Sequence, residues 1–419
     1  MPGLADLTGA ASQGAGGAYE HTYDRLAKKY KTFDYPMVRV ELNGKLFANK
    51  HPDIFVNDVR VDLSCGFEAS VASFRLYNVY DFDRAGSPPN PAFIYDQIAS
   101  EVILGAPVGI WFGYAGEYGH VFTGFVASVD FCFDGADQYY IEVTAMDAKG
   151  VMMASSYAAQ LTAKSYSDAV SEILRRVSYN NMQEAKIISK ITVAATPDKK
   201  QASEGKKDSA ETIEMVSESD YEFIVKAAKK FNFEFFIDRG EVLFRKARSE
   251  MRPLIELKSG FGLLAFRLGY SLTGMVEKIE VRSLDPGAGK IIKAKGKYEG
   301  KLSTKSKAKS LVKKSSRVYI DPTIFTQQQA DARLESLMTQ MSYRLGTLEC
   351  ECLGMPELVP GRFANIVVGS PGDNNFYITN VVHEVSQAGM YTTKLTGCID
   401  TLEKKLAPAV PGGSIPSLL

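Results

Sequence analysis

The chain has 419 residues, 45% of them hydrophobic and 23% charged, a globular make-up long enough for three domains at roughly 150 residues each. Lys+Arg and Asp+Glu are both 49, so the formal net charge is zero. This argues against a dedicated nucleic-acid binder, which carries a basic excess, and leaves little repulsion to oppose self-association.

Five scattered cysteines (Cys65, Cys132, Cys350, Cys352 and Cys398) argue against a disulfide framework and for assembly in a reducing cytosol. The first residues show no basic segment followed by an apolar run, so no secretory signal is expected, and the longest apolar-rich stretch, Pro107 to Phe131, is broken by Glu117 and His120 and alternates as strands do. No membrane insertion is expected.

Residues 1–34, rich in Gly, Ala and Ser and then polar, read as a flexible N-terminal arm. From Tyr35 the chain turns β-rich: Met37–Leu42 alternates up to the turn pair Asn43-Gly44, and Val59–Leu63 and Ala69–Leu76 follow. A loop through Gly86–Pro91 leads to a short helix near Ile94–Ile98, and then to strands at Pro107–Tyr114, His120–Phe131 and Gln138–Ala145. Residues 35–153 therefore read as an antiparallel barrel or sandwich, with Trp111, Phe112, Phe122, Phe125, Phe131 and Phe133 as packing aromatics.

Ala154–Asn180 reads as helical, started by Ser165 or Ser167 and carrying Ala169, Val170, Ile173, Leu174 and Val177 on one stripe. Thr196–Ser209 is a charged connection. Ser217–Lys246 changes period halfway. Ser219 and Glu222 form a capping box before a helix that buries Phe223, Ala227 and Phe231; Phe233, Phe235 and Ile237 then alternate into the turn Asp238-Arg239-Gly240, and Val242 and Phe244 return. This helix and hairpin complete an α/β connector over residues 154–252.

Residues 253–407 read as a second β-barrel. Met275–Ser283 alternates into the turn Asp285-Pro286-Gly287, and Lys290–Lys314 holds ten lysines against Glu299, which reads as a solvated insertion. A helix beginning at Asp321-Pro322 carries Ala330, Leu334, Leu337, Met338 and Met341 on one face. Strands follow at Gly346–Leu353, Phe363–Gly369, Phe376–Val385 and Tyr391–Cys398, and residues 408–419 form a C-terminal tail. A β region, an α/β insert and another β region make a pattern-level repeat.

No constellation of residues points to chemistry. Gly260–Ala265 matches a dinucleotide fingerprint with Glu280 downstream, but no βαβ unit surrounds it, so a loop is expected. Cys350 and Cys352 share a strand face, with Cys398 and His383 as the only further zinc ligands in reach; core cysteines are the simpler reading. Glu101, Glu117 and Asp134 are acids without pair spacing, and there is no nucleophile elbow or Walker loop. No catalytic residue, cofactor or metal is expected.

Three stretches together resemble the phage late control D, or VgrG-like, tail hub family. They are Ser217–Lys246, Glu280–Pro286, and Gly354–Gly361 followed by Phe376–His383 and Gly389–Thr393, in the family's order and rough spacing over about residues 100–400. The resemblance implies a mainly β protein with an α+β insert, two tail-tube-type antiparallel barrels joined by a small connector. It further implies a structural baseplate hub of a phage tail or contractile injection system: a homotrimer whose pseudo-sixfold ring joins the hexameric tail tube, or a tube initiator, to a trimeric spike. Baseplate wedge proteins and a tape measure protein are further implied partners, with no specific nucleic acid. Assembly would take place in the bacterial cytoplasm and the final location would be the virion or particle baseplate. Family members of VgrG type continue into a needle; the chain ends at Leu419, so a separate spike protein is expected. The competing readings are a tail-associated cell-wall-degrading enzyme and a polyanion-binding module built on Lys290–Lys314.

Overall fold

A computed structural model of the chain describes residues 19–83, 91–135, 138–198, 213–285, 289–298, 308–322, 324, 326–369, 374–386 and 389–401. The fold is mainly β. Alternating apolar residues build a first sheet of six strands in the spatial order Pro36–Leu42, Pro107–Tyr114, Glu117–Phe133, Tyr139–Met146, Val71–Tyr77 and Phe55–Ser64. A second set, Pro253–Ser259, Phe363–Val367, Asn374–Val385, Tyr391–Ile399, Gly346–Leu353 and Gly262–Tyr270, closes on itself as a six-stranded barrel. Pairing is antiparallel except at Pro253–Ser259, which runs parallel to both its neighbours.

In strand order the two sets are laid out alike, and they differ in the direction of the first strand, which runs antiparallel to its neighbour in the first set and parallel in the second. In each, the fourth strand in sequence pairs antiparallel with a long central strand, which is irregular at matching places: between Val126 and Ser128 in the first set, and between Ile378 and Asn380 in the second. In each, a glycine at positive φ (Gly105 +85°, Gly361 +78°) donates its N–H to the long strand, at Val126 O and Ile378 O. The repeat suggested by pattern is thus a repeat of strand order, and a single apolar core runs through both sets, from Val61, Phe74 and Phe112 to Leu348, Phe376 and Leu395. The sets are joined edge to edge, where Phe55–Ser64 pairs with the far half of Asn374–Val385.

The connector has its own core. Ser219 and Glu222 form the capping box of the Asp220–Phe231 helix, and its C-terminus is closed by Asn232 in the left-handed conformation. Phe223, Ala227, Phe235 and Phe244 are fully buried. Arg239 and Gly240, both at positive φ, turn Phe233–Asp238 back into Glu241–Lys246. Ala154–Asn180 is not one helix: Tyr157–Leu161 is a strand paired with Ile213–Glu218, and two helices follow, Tyr166–Ile173 capped by Ser165 and Val177–Glu184.

Lys278–Asp285, Lys290–Lys297 and Ser316–Ile320 take no place in the barrel. They form a separate three-stranded sheet covered by the helix Gln327–Ser342, with Ile279, Val281, Ala294 and Met341 in a core of their own. The helix starts at the capping box Thr326/Gln329, beyond Asp321-Pro322. The lysine run is therefore a strand at its start, and residues 299–307 lie outside the described residues. Gly260–Ala265 is not a loop, since the strand begins at Gly262. Asn43-Gly44 makes a turn, but the returning strand is only Lys45–Leu46. The loop at 84–90, the connection at 199–212 and the tail at 408–419 fall outside the described residues.

The N-terminal arm differs most from expectation. Residues 1–18 lie outside the described residues, but Tyr23–Lys29 is a helix whose Leu26, with Tyr30 and Phe33 after it, is buried in the common core. Tyr19 donates to Glu256 at 2.9 Å and Tyr30 to Glu357 at 2.8 Å. Three apolar side chains in eight residues anchor a segment whose overall polarity reads as mobile.

Candidate assembly site

The joint between the two strand sets is supported from both its edge and the connector. Along it, Asn380 Nδ2 donates to Asp62 at 2.6 Å and Arg60 Nη1 to Glu384 at 3.2 Å. Behind it stands the connector hairpin, whose strand Phe233–Asp238 is buried on both faces. Phe235 points into the connector core. Phe236 and Glu234 point the other way, to the barrel, where Phe236 packs with Cys65, Phe363 and Tyr377. Glu234 accepts from Arg245 Nε at 2.7 Å and from the Tyr377 hydroxyl, and Arg245 Nη2 donates to Gly361 O at 2.8 Å. Burial raises the Glu234 carboxyl above the ordinary range against the pull of Arg245. The Arg248 guanidinium lies 3.9 Å from the Tyr343 ring centroid and 5.2 Å from that of Tyr377.

A second buried network ties the connector to the first sheet. Lys149 is wholly buried, with its Nζ donating to Gly66 O at 3.4 Å and to Glu68 O, 5.8 Å from the Phe235 ring. Asp147 accepts from the backbone N–H of Ser70 at 2.8 Å and of Lys149 at 2.9 Å. Burial pulls the Lys149 amine down and pushes the Asp147 carboxyl up. Tyr221 donates to Phe67 O at 2.7 Å. These groups are spent on backbone and on each other, so the arrangement holds parts in place.

The residues weighed for chemistry do not converge. Cys350 and Cys352 face the common core, with the Cys350 thiol pushed up to about 12 by burial. Cys398 packs in a different cluster with Tyr377 and Tyr343. His383 is wholly buried and satisfied: its Nε2 donates to Leu358 O at 3.0 Å and its Nδ1 accepts from Tyr391 at 2.8 Å. Among the described residues no three metal-ligating side chains cluster. Glu101 is buried against Lys50 and His51. Glu117 and Asp134 lie at opposite ends of the long strand, on the order of 50 Å apart along it, against roughly 5–10 Å for a glycosidase pair. Gly260 and Gly262 lead into barrel strand rather than a helix, and Glu280 pairs with Arg282 at 2.7 Å. An open depression is lined by Thr162, Lys164, Asp168, Glu172 and Arg175, with the Thr162 hydroxyl donating to exposed Glu172 at 3.2 Å.

What the sequence reading passed over is the exposed apolar surface. Phe82, Phe131 and Phe133 stand out at the far end of the first sheet, where Phe133 stacks on Tyr139, Phe82 meets Tyr80 and Tyr139 edge-on, and Phe131 meets Phe93 and Tyr95 edge-on; Phe261, Leu264 and Phe266 stand out on the barrel. Alternation alone marks such residues as core, and only the sheet order shows which ones lack cover. No helix among the described residues is long and apolar enough to cross a membrane.

The same fold occurs in two solved tail proteins. One, from Neisseria meningitidis MC58, is 13% identical with a TM-score of 0.60, covering 87% of this chain and 97% of that one. The other, the 43 kDa tail protein of prophage MuSo2 from Shewanella oneidensis, is 15% identical with a TM-score of 0.60, covering 86% and 98%. No curated protein matches the chain. The family model described as the Alg8 N-terminal domain matches residues 98–387, which takes in three of the six strands of the first sheet, the connector and five of the six barrel strands. The chain belongs to the Alg8 N-terminal domain family.

Proposed function

We propose that this chain is the structural hub of the baseplate of a phage tail or phage-like contractile injection system. Three copies would form a ring that joins a hexameric tail tube, or its initiator, to a trimeric spike. The observation that carries the reading is the internal repeat: two strand sets of one strand order, fused edge to edge in one chain. Three such chains present six like units around an axis, which adapts sixfold to threefold symmetry. The shared fold with two tail proteins supports the same reading.

In this reading residues 35–153 and 253–407 hold the tube-type units, the second carrying the separate sheet and helix of Lys278–Ser342 as an insertion, residues 154–252 are the brace between them, and the chain catalyses nothing. Its partners are the tube protein, a separate spike, baseplate wedge proteins and the tape measure protein, and it works in the baseplate after assembly in the bacterial cytoplasm. Native mass measurement of the full chain, together with imaging of a particle that contains it, tests this. Three copies on the central axis between tube and spike are expected; a monomer located away from that axis rejects it.

A further inference from the structure

The joint inside the chain is a template. Phe55–Ser64 lies along the long strand Asn374–Val385 on the edge that Phe363–Val367 leaves free beyond Tyr377. By strand order, Gly262–Tyr270 is the counterpart of Phe55–Ser64, and Glu117–Phe133 is the counterpart of Asn374–Val385. Both counterparts lack the corresponding partner. Gly262–Tyr270 meets Pro253–Ser259 only at Gly262 and Leu263, and past them that edge has no strand partner among the described residues. Glu117–Phe133 meets Pro107–Tyr114 only as far as Phe125, and from Ser128 on that edge has none among the described residues either. Apolar side chains stand in solvent at these same two places: Leu264 at 52% and Phe266 at 49% exposure, Phe131 at 48% and Phe133 at 53%.

We infer that Gly262–Tyr270 of one copy pairs antiparallel with the Ser128–Phe133 edge of the next, repeating between chains the joint made within each. This deepens the ring reading and rests on it. Aligning the irregularity in each strand places Ser128 at Asn380, and Ala265 at Arg60. The internal pairs Val61 with His383, Asp62 with Val382, and Arg60 with Glu384 then become Phe266 with Phe131, Arg267 with Asp130, and Ala265 with Cys132. Counting round the sheet instead, from strand to strand, moves the register by two residues and opposes Cys132 to Arg267. The same faces meet in both cases, because a two-residue step preserves the side of the sheet.

The chemistry of the two edges is complementary. On the inner face, Leu264 and Phe266 would cover Phe131 and Phe133, whose ring system already includes Phe93, 5.1 Å from Phe131, and Tyr139, 4.5 Å from Phe133. On the outer face, Arg267, with 83% of its side chain exposed, would meet exposed Asp130, as Arg60 meets Glu384 within the chain. The contact is head-to-tail, so each added copy leaves one edge of each kind until the ring closes.

The test uses the native Cys132 in the full-length protein. Directly opposed residues of an antiparallel pair have Cα atoms about 4.5–5.5 Å apart, within disulfide reach. Ala265→Cys, Arg267→Cys and Phe266→Cys are made singly and oxidised beside the unsubstituted chain, and covalent species are read on a non-reducing gel. Dimers and trimers from Ala265→Cys or Arg267→Cys, with none from Phe266→Cys, whose side chain is on the other face, are expected. No cross-link from either, in a protein that native mass shows to be trimeric, overturns this contact and leaves the ring standing. Equal cross-linking by all three also overturns it. A protein that stays monomeric overturns the ring and the contact together.

Discussion

Protonating His383 is unfavourable because its ring is enclosed and both nitrogens are already engaged, one donating to Leu358 O and the other accepting from Tyr391. Burial lowers its pKa to about 4 from an ordinary 6.5. Between those values the unfolded chain binds the proton that the folded chain refuses, so stability is full above about pH 6.5 and falls as pH drops toward 4. The loss from this residue is about 3 kcal/mol across that window. Urea midpoints measured from pH 4 to 7 should show it, and His383→Gln, though less stable throughout, should show a flatter profile over the same range. Glu234 gives a second case. Glu234→Ala strips the partner from a mostly buried Arg245 and from Tyr377, and should cost about 3–5 kcal/mol in denaturant unfolding; a loss below about 1 kcal/mol would show that the network contributes little.

At the scale of elements, the sequence was legible wherever the cause of structure is local. Ser219 and Glu222 form their capping box within three residues, and Arg239-Gly240 needs only its own backbone to make the turn. It was illegible where the cause is distant. Tyr157–Leu161 is a strand because Ile213–Glu218 pairs with it, some fifty residues further on, and an Ala-containing segment read alone favours a helix. Phe236 and Glu234 alternate with the core residues Phe235 and Phe233 and so read as solvent-facing; only the barrel wall beyond makes their side an interior. The two faces can be separated by experiment. Phe235→Ala should cost about 3–5 kcal/mol and expose the Asp220–Phe231 helix to hydrogen exchange. Phe236→Ala should instead raise exchange where hairpin and barrel meet, at Phe363–Val367, and leave the helix protected.

For the whole molecule, the pattern of β, α/β and β regions was visible in composition and periodicity, but the equivalence of the two strand sets was not. It lies in spatial order, in matched irregularities and in one glycine of each set, and the residues at equivalent positions, such as Val61 and Phe266, are chemically alike without being identical. The sheet Lys278–Asp285, Lys290–Lys297 and Ser316–Ile320 was likewise hidden, since alternation identifies strands and does not say which sheet receives them. The candidate site was less legible still. A surface that works by strand pairing uses the same residue types as a core, and only the absence of a neighbour distinguishes the two.

The joint has one consequence for how the protein is made. Asn380 closes on Asp62 across 318 residues of sequence. At about 5–20 residues per second, a ribosome needs tens of seconds to supply that partner. Throughout that interval the edge of Phe55–Ser64 is an uncovered template on a nascent chain. Fragments that stop before Asn374 should therefore precipitate or be held by chaperones, even though their own six strands are complete, and adding the remaining strands should make the product soluble. Centrifugation of cell extracts from a series of truncations would locate the step, and a soluble fragment ending before Asn374 would show that the first sheet protects its own edge.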